Sequence, residues 1–434
     1  MSNPGKIYID CTFSASVVIP RGIPRVVKKF AIGMRRLDED IKSVIVENGQ
    51  LFEFQFSECS QNKVENKHSV QLINYLRRLY STGSSFICAV IPLPSIYRFF
   101  HNGKSDPGFT WLVYHLFIRP IRKLKGLNLF CSHGDSGDLF SLDVARGDVI
   151  FFPDAIWECH SFNSLNELKH KGVKLVWYCH DLIPITHPHF CRSNAVQFKS
   201  WVDKCLPLFD HIITNSFFTK KIVSEYCELM GFNKEVKLDV VHLGADFDDG
   251  GLSGLPHTSA DYFLTVGAID SRKNHQLILD AARLAWDAGC QFKLVWVGKV
   301  SLEMQSFIDS VVNDKHYTGL ISVLGEVSDA DLSQLYRNAS ALIFASWIEG
   351  FGLPLIEAYH SNIPVLASDI EIHREVAGNF AYFFDPSSVL SLARLINDFI
   401  NNIEQYQKTE SNSIAVPTWD EVCNELSSVL KGDL

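Results

Sequence analysis

Short runs of apolar, β-branched residues alternate along the chain with stretches in which apolar positions recur every three or four residues. KIYIDCTF (6–13), DVIFFPD (148–154), VKLVWYCHD (173–181) and HIITNS (211–216) have the near-continuous hydrophobicity of strands covered on both faces. Between them, PRVVKKFAIGMRRL (24–37) and FFTKKIVSEYCELM (217–230) carry helical periodicity. The pattern predicts one parallel α/β unit over 1–245. A run rich in Gly, Asp, Ser and Pro over 246–260 reads as an interdomain linker. Alternation then resumes: YFLTVGAI, a helix from Asn274, FKLVWVG, a helix near 301–313, ISVLGEV, a helix near 329–338, ALIFAS, a helix from Pro354, and IPVLAS. This predicts a second doubly wound domain over 261–412. A last segment, 413–434, holds the amphipathic PTWDEVCNELSSVL and is expected to pack back toward the first domain. Two such Rossmann-like α/β domains face a central cleft, and open parallel sheets bind ligands beyond the carboxyl ends of their strands.

A chain of 434 residues is too long for one ordinary core, which agrees with two domains. The net charge of −9 speaks against a nucleic-acid partner. The eleven cysteines form no C-x-x-C pair and have no zinc spacing with histidines, which predicts reduced thiols and a cytoplasmic protein. The first residues, MSNPGKIYID, lack the apolar run of a signal peptide, and no stretch reaches 18 uninterrupted apolar residues, so no membrane-spanning helix is expected.

The chemistry concentrates in ASWIEGFGLPLIEA (345–358). Pro354 suits the first turn of a helix, which places Glu349 in the strand-to-helix loop and Glu357 in the helix's first turn. Between them, Gly350, Phe351, Gly352 and Leu353 offer backbone N–H groups, and the glycines permit close approach of a ligand. Amides in the middle with a carboxylate on either side suit a ligand with phosphate at its centre and hydroxyls at both ends. A nucleoside-diphosphate sugar is such a ligand. The plainer reading is a strand–loop–helix turn with Glu357 favouring the helix dipole.

EGFGLPLIEA is very similar to the E-x7-E signature of retaining glycosyltransferases of family 4, which have the GT-B fold. VGAIDSRKNHQLILDAA (266–282), LGEVSDADLSQLYRNASALIFASWIEGFG (324–352), IPVLASDIEIHREVAG (363–378) and AYFFDP (381–386) resemble that family's blocks in the right order. GIPRVVKKF (22–30), WYCHDLIP (177–184) and TNSFFTKKIV (214–223) resemble its glycine-loop, His-Asp and Ser segments, whereas 50–146 carries no word of the family.

The resemblance implies that Glu357 binds the donor ribose and that Glu349 contacts donor-sugar hydroxyls and supports charge on the reacting ring. It implies that Gly350, Phe351, Gly352 and Leu353 hold sugar and diphosphate through their amides. Arg272 and Lys273 match the basic pair on the diphosphate, which would neutralise the leaving group without a metal. Gly267 and, across the cleft, Gly22 match glycines that approach the phosphates. Glu326 and Val327 match the segment beside the base. His180 matches a residue that orients donor or acceptor, while Asp181, Ser216 and Arg25 are weaker, acceptor-side candidates. The RKNH word is most similar to mannosyltransferases using GDP-mannose. The resemblance therefore implies hexosyl transfer to a growing surface glycan or lipid-linked glycan. Another nucleotide sugar, or a non-catalytic nucleotide-sugar-binding subunit, is the alternative. No cofactor and no metal are expected: Asp38–Asp40 and Asp246/Asp248 read as solvated acidic stretches, and Pro188 constrains His187 and His189. The basic helix 24–37, with Val26, Val27, Phe30, Ile32 and Leu37, and the aromatic and basic region 85–125 suggest peripheral contact with the inner face of the cytoplasmic membrane.

Overall fold

The computed structural model describes residues 5–17, 22–47, 50–56, 141–191, 194–232, 236–245, 261–406 and 416–432. The expected linker 246–260 and region 85–125 lie outside the described residues.

The apolar runs of the first half form one sheet. Its strands are β1 (Ile7–Asp10), β2 (Lys42–Glu47), β3 (Gln50–Glu53), β4 (Ser141–Leu142), β5 (Val149–Phe152), β6 (Lys174–Cys179), β7 (His211–Thr214) and β8 (Lys237–Val240). Their spatial order is β4-β3-β2-β1-β5-β6-β7-β8. The pairs from β2 to β8 are parallel, and β3 and β4 add an antiparallel edge. The second sheet is wholly parallel: β9 (Tyr262–Val266), β10 (Lys293–Val297), β11 (Ile321–Leu324), β12 (Ala341–Phe344), β13 (Val365–Ser368) and β14 (Ala381–Phe384). Its order, β11-β10-β9-β12-β13-β14, is the 3-2-1-4-5-6 arrangement of a doubly wound domain. Central strands such as VIFF of β5, ALIF of β12 and VLAS of β13 are buried at every position, as strands covered on both faces must be. Strand order reverses between β1 and β5 and between β9 and β12, so each sheet opens a crevice beyond the carboxyl ends of those strands.

The closing helix, Trp419–Lys431, starts at a capping box made by Thr418 and Glu421 and lies against the helix Ile23–Leu37 of the first domain. Phe30 and Trp419 meet edge to face at 5.9 Å, and a Cβ on Gly33 would overlap Cys423 Sγ, so this crossing requires glycine. Of the apolar residues in 24–37, Val26, Val27 and Phe30 are buried in the core and Ile32 is half-buried, while Leu37, Arg35 and Arg36 are exposed. Among the described residues no helix is long and apolar enough to cross a membrane, and no cysteine forms a disulfide.

Candidate functional site

The site grows from the switch point between β9 and β12. After β9 the chain passes Gly267 and enters a single 3-10 turn, Ser271–Lys273. The Asp270 carboxylate caps that turn, accepting the amides of Arg272 at 3.1 Å and Lys273 at 3.2 Å. A Cβ on Gly267, whose φ is 139°, would stand 3.0 Å from Lys273 Cε, so this glycine makes room for the lysine as much as for a ligand. Lys273 reaches under the strand ends, with Nζ 4.4 Å from the centre of the Phe344 ring. Trp347 N donates to Arg272 O at 2.9 Å, tying the turn to the loop after β12.

That loop delivers Glu349 between the two cations: Oε2 lies 2.5 Å from Arg272 Nη1 and Oε1 lies 2.6 Å from Lys273 Nζ. All three side chains are largely buried. Burial works against ionisation of Glu349, but Arg272 and then Lys273 outweigh it and hold the carboxyl well below the usual carboxylate range. Burial likewise opposes the charge on Arg272, which Glu349 more than restores. For Lys273 burial is the stronger influence and draws its pKa down. Arg272 Nη1 also donates to Ile348 O at 3.0 Å, while Nη2 has the Asp270 carboxylate only at 3.9 Å.

Beyond Glu349 the backbone turns through Gly352 (φ 98°) into the helix Leu353–His360, with Pro354 in its first turn. The amides of Gly350, Phe351, Gly352 and Leu353 donate to no protein acceptor among the described residues. Gly350, Phe351 and Gly352 are buried, and buried N–H groups almost always have partners. The run is therefore an anion-ready set of donors beside Glu349, Arg272 and Lys273. His373 lies close by, its ring 4.9 Å from that of Phe344. Its Nδ1 donates to Ser368 O at 3.0 Å, and burial pushes its pKa down to about 4.

Glu357 is the fifth residue of its helix, which starts at Leu353, one residue before the expected Pro354, so it stands just past the first turn. It is buried and accepts from two sides. Arg25 of the first domain pairs with Oε1, and Tyr336 Oη donates to Oε2 at 2.8 Å. Arg25 is thus not solvent-facing: it is buried against a carboxylate of the second domain. Burial opposes its charge, but Glu357 and then Asp329 hold the guanidinium above its ordinary range. Gly22, the N-cap residue of the Arg25 helix, has φ 55° and is exposed. Glu326 is exposed and Val327 half-buried in the loop that leads to the helix Asp329–Asn338 carrying Tyr336.

The glycine loop also docks on the first domain. Ser216 Oγ and Thr219 Oγ1 donate to Gly350 O at 2.9 and 3.1 Å. Ser216 also caps the helix Phe217–Leu229, accepting from Thr219 N at 3.0 Å, so its place is in the interdomain contact. A Cβ on Gly350 would overlap the carbonyl oxygen of His180 and stand 2.8 Å from Asp181 Cβ. Asp181 itself accepts from Ile183 N at 2.9 Å. His180 Nε2 donates to Pro153 O at 2.7 Å, which fixes Nδ1 as the bare nitrogen, and burial pushes the ring pKa down to about 4. Glu375 adds a second interdomain tie, accepting Phe217 N at 2.6 Å and Phe218 N at 2.8 Å.

Tyr336, Thr219, Glu375 and His373 escaped the sequence reading. For Tyr336 a signal existed: Leu332 and Tyr336 share one helix face, and a buried tyrosine hydroxyl needs a partner. Among the described residues one group of possible metal donors lies elsewhere, Asp10, Cys159 and His160 at the switch point of the first sheet. There His160 Nε2 already bonds Asp10 at 3.0 Å.

Residues 254–416 match the family described as glycosyl transferases group 1. WbdA, a serotype-specific mannosyltransferase of Escherichia coli, is 29% identical over 304 residues, covering 66% of this chain and 37% of that one. The chain thus spans little more than a third of WbdA. RfbU, an O-antigen chain mannosyltransferase of Salmonella typhimurium, is 30% identical over 274 residues, covering 62% of this chain and 70% of that one. Sucrose-phosphate synthase from Thermosynechococcus elongatus matches 99% of this chain and 98% of its own, with a TM-score of 0.58 at 13% identity. That likeness establishes the fold, GT-B.

Proposed function

Because the chain belongs to the group 1 glycosyltransferases, we propose that it moves a hexose, mannose from GDP-mannose being favoured, from a nucleotide sugar to a growing surface glycan of the O-antigen, capsule or lipopolysaccharide type. The proposal includes retention of configuration, independence of metal ions, and a cytoplasmic location. Peripheral contact with an anionic membrane surface is part of the proposal, with the exposed Arg35 of the helix Ile23–Leu37 facing it. One observation carries the reading: four successive amides, 350–353, have no protein acceptor among the described residues and lie beside two buried cations and a carboxylate. The relatives' names favour mannose and surface glycans.

In this reading the amides of 350–353 and the remaining donors of Arg272 receive the diphosphate. Arg272 and Lys273 then shift part of their charge from Glu349 to the leaving phosphate as the glycosidic bond breaks. Glu349, released in part, accepts from donor-sugar hydroxyls beside the reacting carbon. Glu357 takes the ribose. His180 stays neutral and presents Nδ1 as an acceptor that orients a hydroxyl. The acceptor hydroxyl attacks from the face the diphosphate leaves, and that phosphate takes its proton.

The test is transfer by the purified chain from GDP-mannose, in EDTA, to a mannose-terminated lipid-linked glycan. Mass spectrometry reads the product and NMR reads its anomeric configuration. An α-linked product supports the whole reading. Nucleotide binding without transfer to any acceptor would instead indicate a binding subunit, and a β-linked product would remove retention.

A further inference from the structure

The ion pair between Arg25 and Glu357 joins residues 332 apart in sequence and links the first domain to the second. Its side chains are 10% and 3% exposed, so it is shielded from solvent. A carboxylate has four lone-pair positions, two on each oxygen. Arg25 occupies one on Oε1 and Tyr336 one on Oε2, which leaves one free on each oxygen. Two acceptors held side by side in this way match the two adjacent hydroxyls of a ribose. The guanidinium is brought there by the first turn of the helix Ile23–Leu37, where Pro24 sits and Gly22 supplies the positive φ. Tyr336 is brought by the helix Asp329–Asn338.

We propose that Arg25 and Tyr336 are positioning residues for donor binding: together they fix the Glu357 carboxylate so that its two remaining lone pairs accept the 2′- and 3′-hydroxyls of the nucleotide ribose. Arg25 comes from the opposite domain, so the ribose site is complete only when the domains are together. This inference rests on the nucleotide-sugar reading above. It adds a ligand-aligning function for a first-domain arginine and for a tyrosine.

The test compares a nucleoside diphosphate with its 2′,3′-dideoxy form, using whichever of GDP, UDP and ADP the wild-type chain binds best. Calorimetry is run on wild type, Arg25→Gln, Arg25→Lys and Tyr336→Phe. Wild type is expected to lose roughly 10- to 100-fold in affinity when the hydroxyls are removed, the scale of one or two hydrogen bonds to a charged group. Arg25→Gln is expected to bind the ordinary nucleotide about that much more weakly, yet to bind the dideoxy form almost as well as wild type does. Arg25→Lys should recover part of the loss, and Tyr336→Phe should show a smaller version of it. A structural defect alone would weaken both ligands equally, and that result overturns the proposal. Tighter binding by Arg25→Gln overturns it as well, since the arginine would then compete with ribose. If wild type binds none of the three nucleotides, the nucleotide-sugar reading itself fails and the inference with it.

Discussion

Replacing Glu349 by glutamine keeps the shape of the side chain and removes its charge. The carboxylate is 9% exposed and Lys273 8%, so water screens the pair little. The new amide can turn its oxygen toward Lys273, but its NH2 then faces Arg272 Nη1, donor against donor. Removing one partner of a buried ion pair costs about 3–5 kcal/mol. The bond kept to Lys273 places Glu349→Gln near the lower end, at about 3 kcal/mol. The pH dependence follows from linkage. The folded-state pKa of Glu349 lies far below its ordinary value of 4.5, because Arg272 and Lys273 outweigh burial. Its stabilising contribution is therefore complete above that ordinary value and is lost as pH falls below it. Urea unfolding followed by tryptophan fluorescence, at about pH 7, 5 and 3.5, should show the variant well below wild type at the first two and the gap narrowing at the third. Equal midpoints at about pH 7 would refute the claim that Glu349 holds two buried cations in place. In the folded variant, turnover should fall by roughly 10²–10³, the scale for one preorganised electrostatic group.

Three further outcomes follow from the same geometry. His180, pushed down to about 4 from 6.5 by burial, stays neutral near pH 7, and the folded chain loses stability relative to the unfolded as pH falls through that interval. The pH profile of kcat/KM should then show no inflection near 6.5 that disappears in His180→Asn; finding one would make His180 a titrating base. Gly350→Ala drives a methyl group into the His180 carbonyl, so it should weaken nucleotide affinity at least about tenfold with unchanged circular dichroism, and normal binding would show that the docked loop is dispensable. Glu375→Gln leaves an oxygen able to serve one of two amides, and a loss of about 1 kcal/mol in urea unfolding is expected, against no change if the tie is incidental.

The central strands were legible because strands buried on both faces must be apolar almost throughout, as ALIF and VLAS are, whereas β2, β3, β4 and β8 were not, since β3 and β8 are only partly buried and mix polar and charged residues with apolar ones. Pro354 and the glycines marked the turn that exposes amides, since both residue types act through the local backbone. The register within the turn was legible to within one residue: the helix starts at Leu353 rather than at Pro354, which makes Glu357 its fifth residue. Partners across the two domains left almost no local trace. Nothing near Arg25 in sequence announces a carboxylate 332 positions away, and nothing near Glu375 announces the helix it caps in the other domain. An isolated arginine in a basic helix looks like a surface residue until tertiary packing buries it. The same applies to Ser216: its position at the start of the helix Phe217–Leu229 was readable, but the carbonyl it meets, Gly350 O, was not.

The most direct test of the account is calorimetric titration of the chain with GDP, UDP and ADP in EDTA, wild type against Glu357→Ala. Binding of one nucleotide without metal, weakened roughly 10- to 100-fold by the substitution, is the predicted result, and the preferred base names the donor class. No binding of any of the three, or binding that Glu357→Ala leaves unchanged, would contradict the claim that the cleft between β9 and β12 is a nucleotide-sugar site.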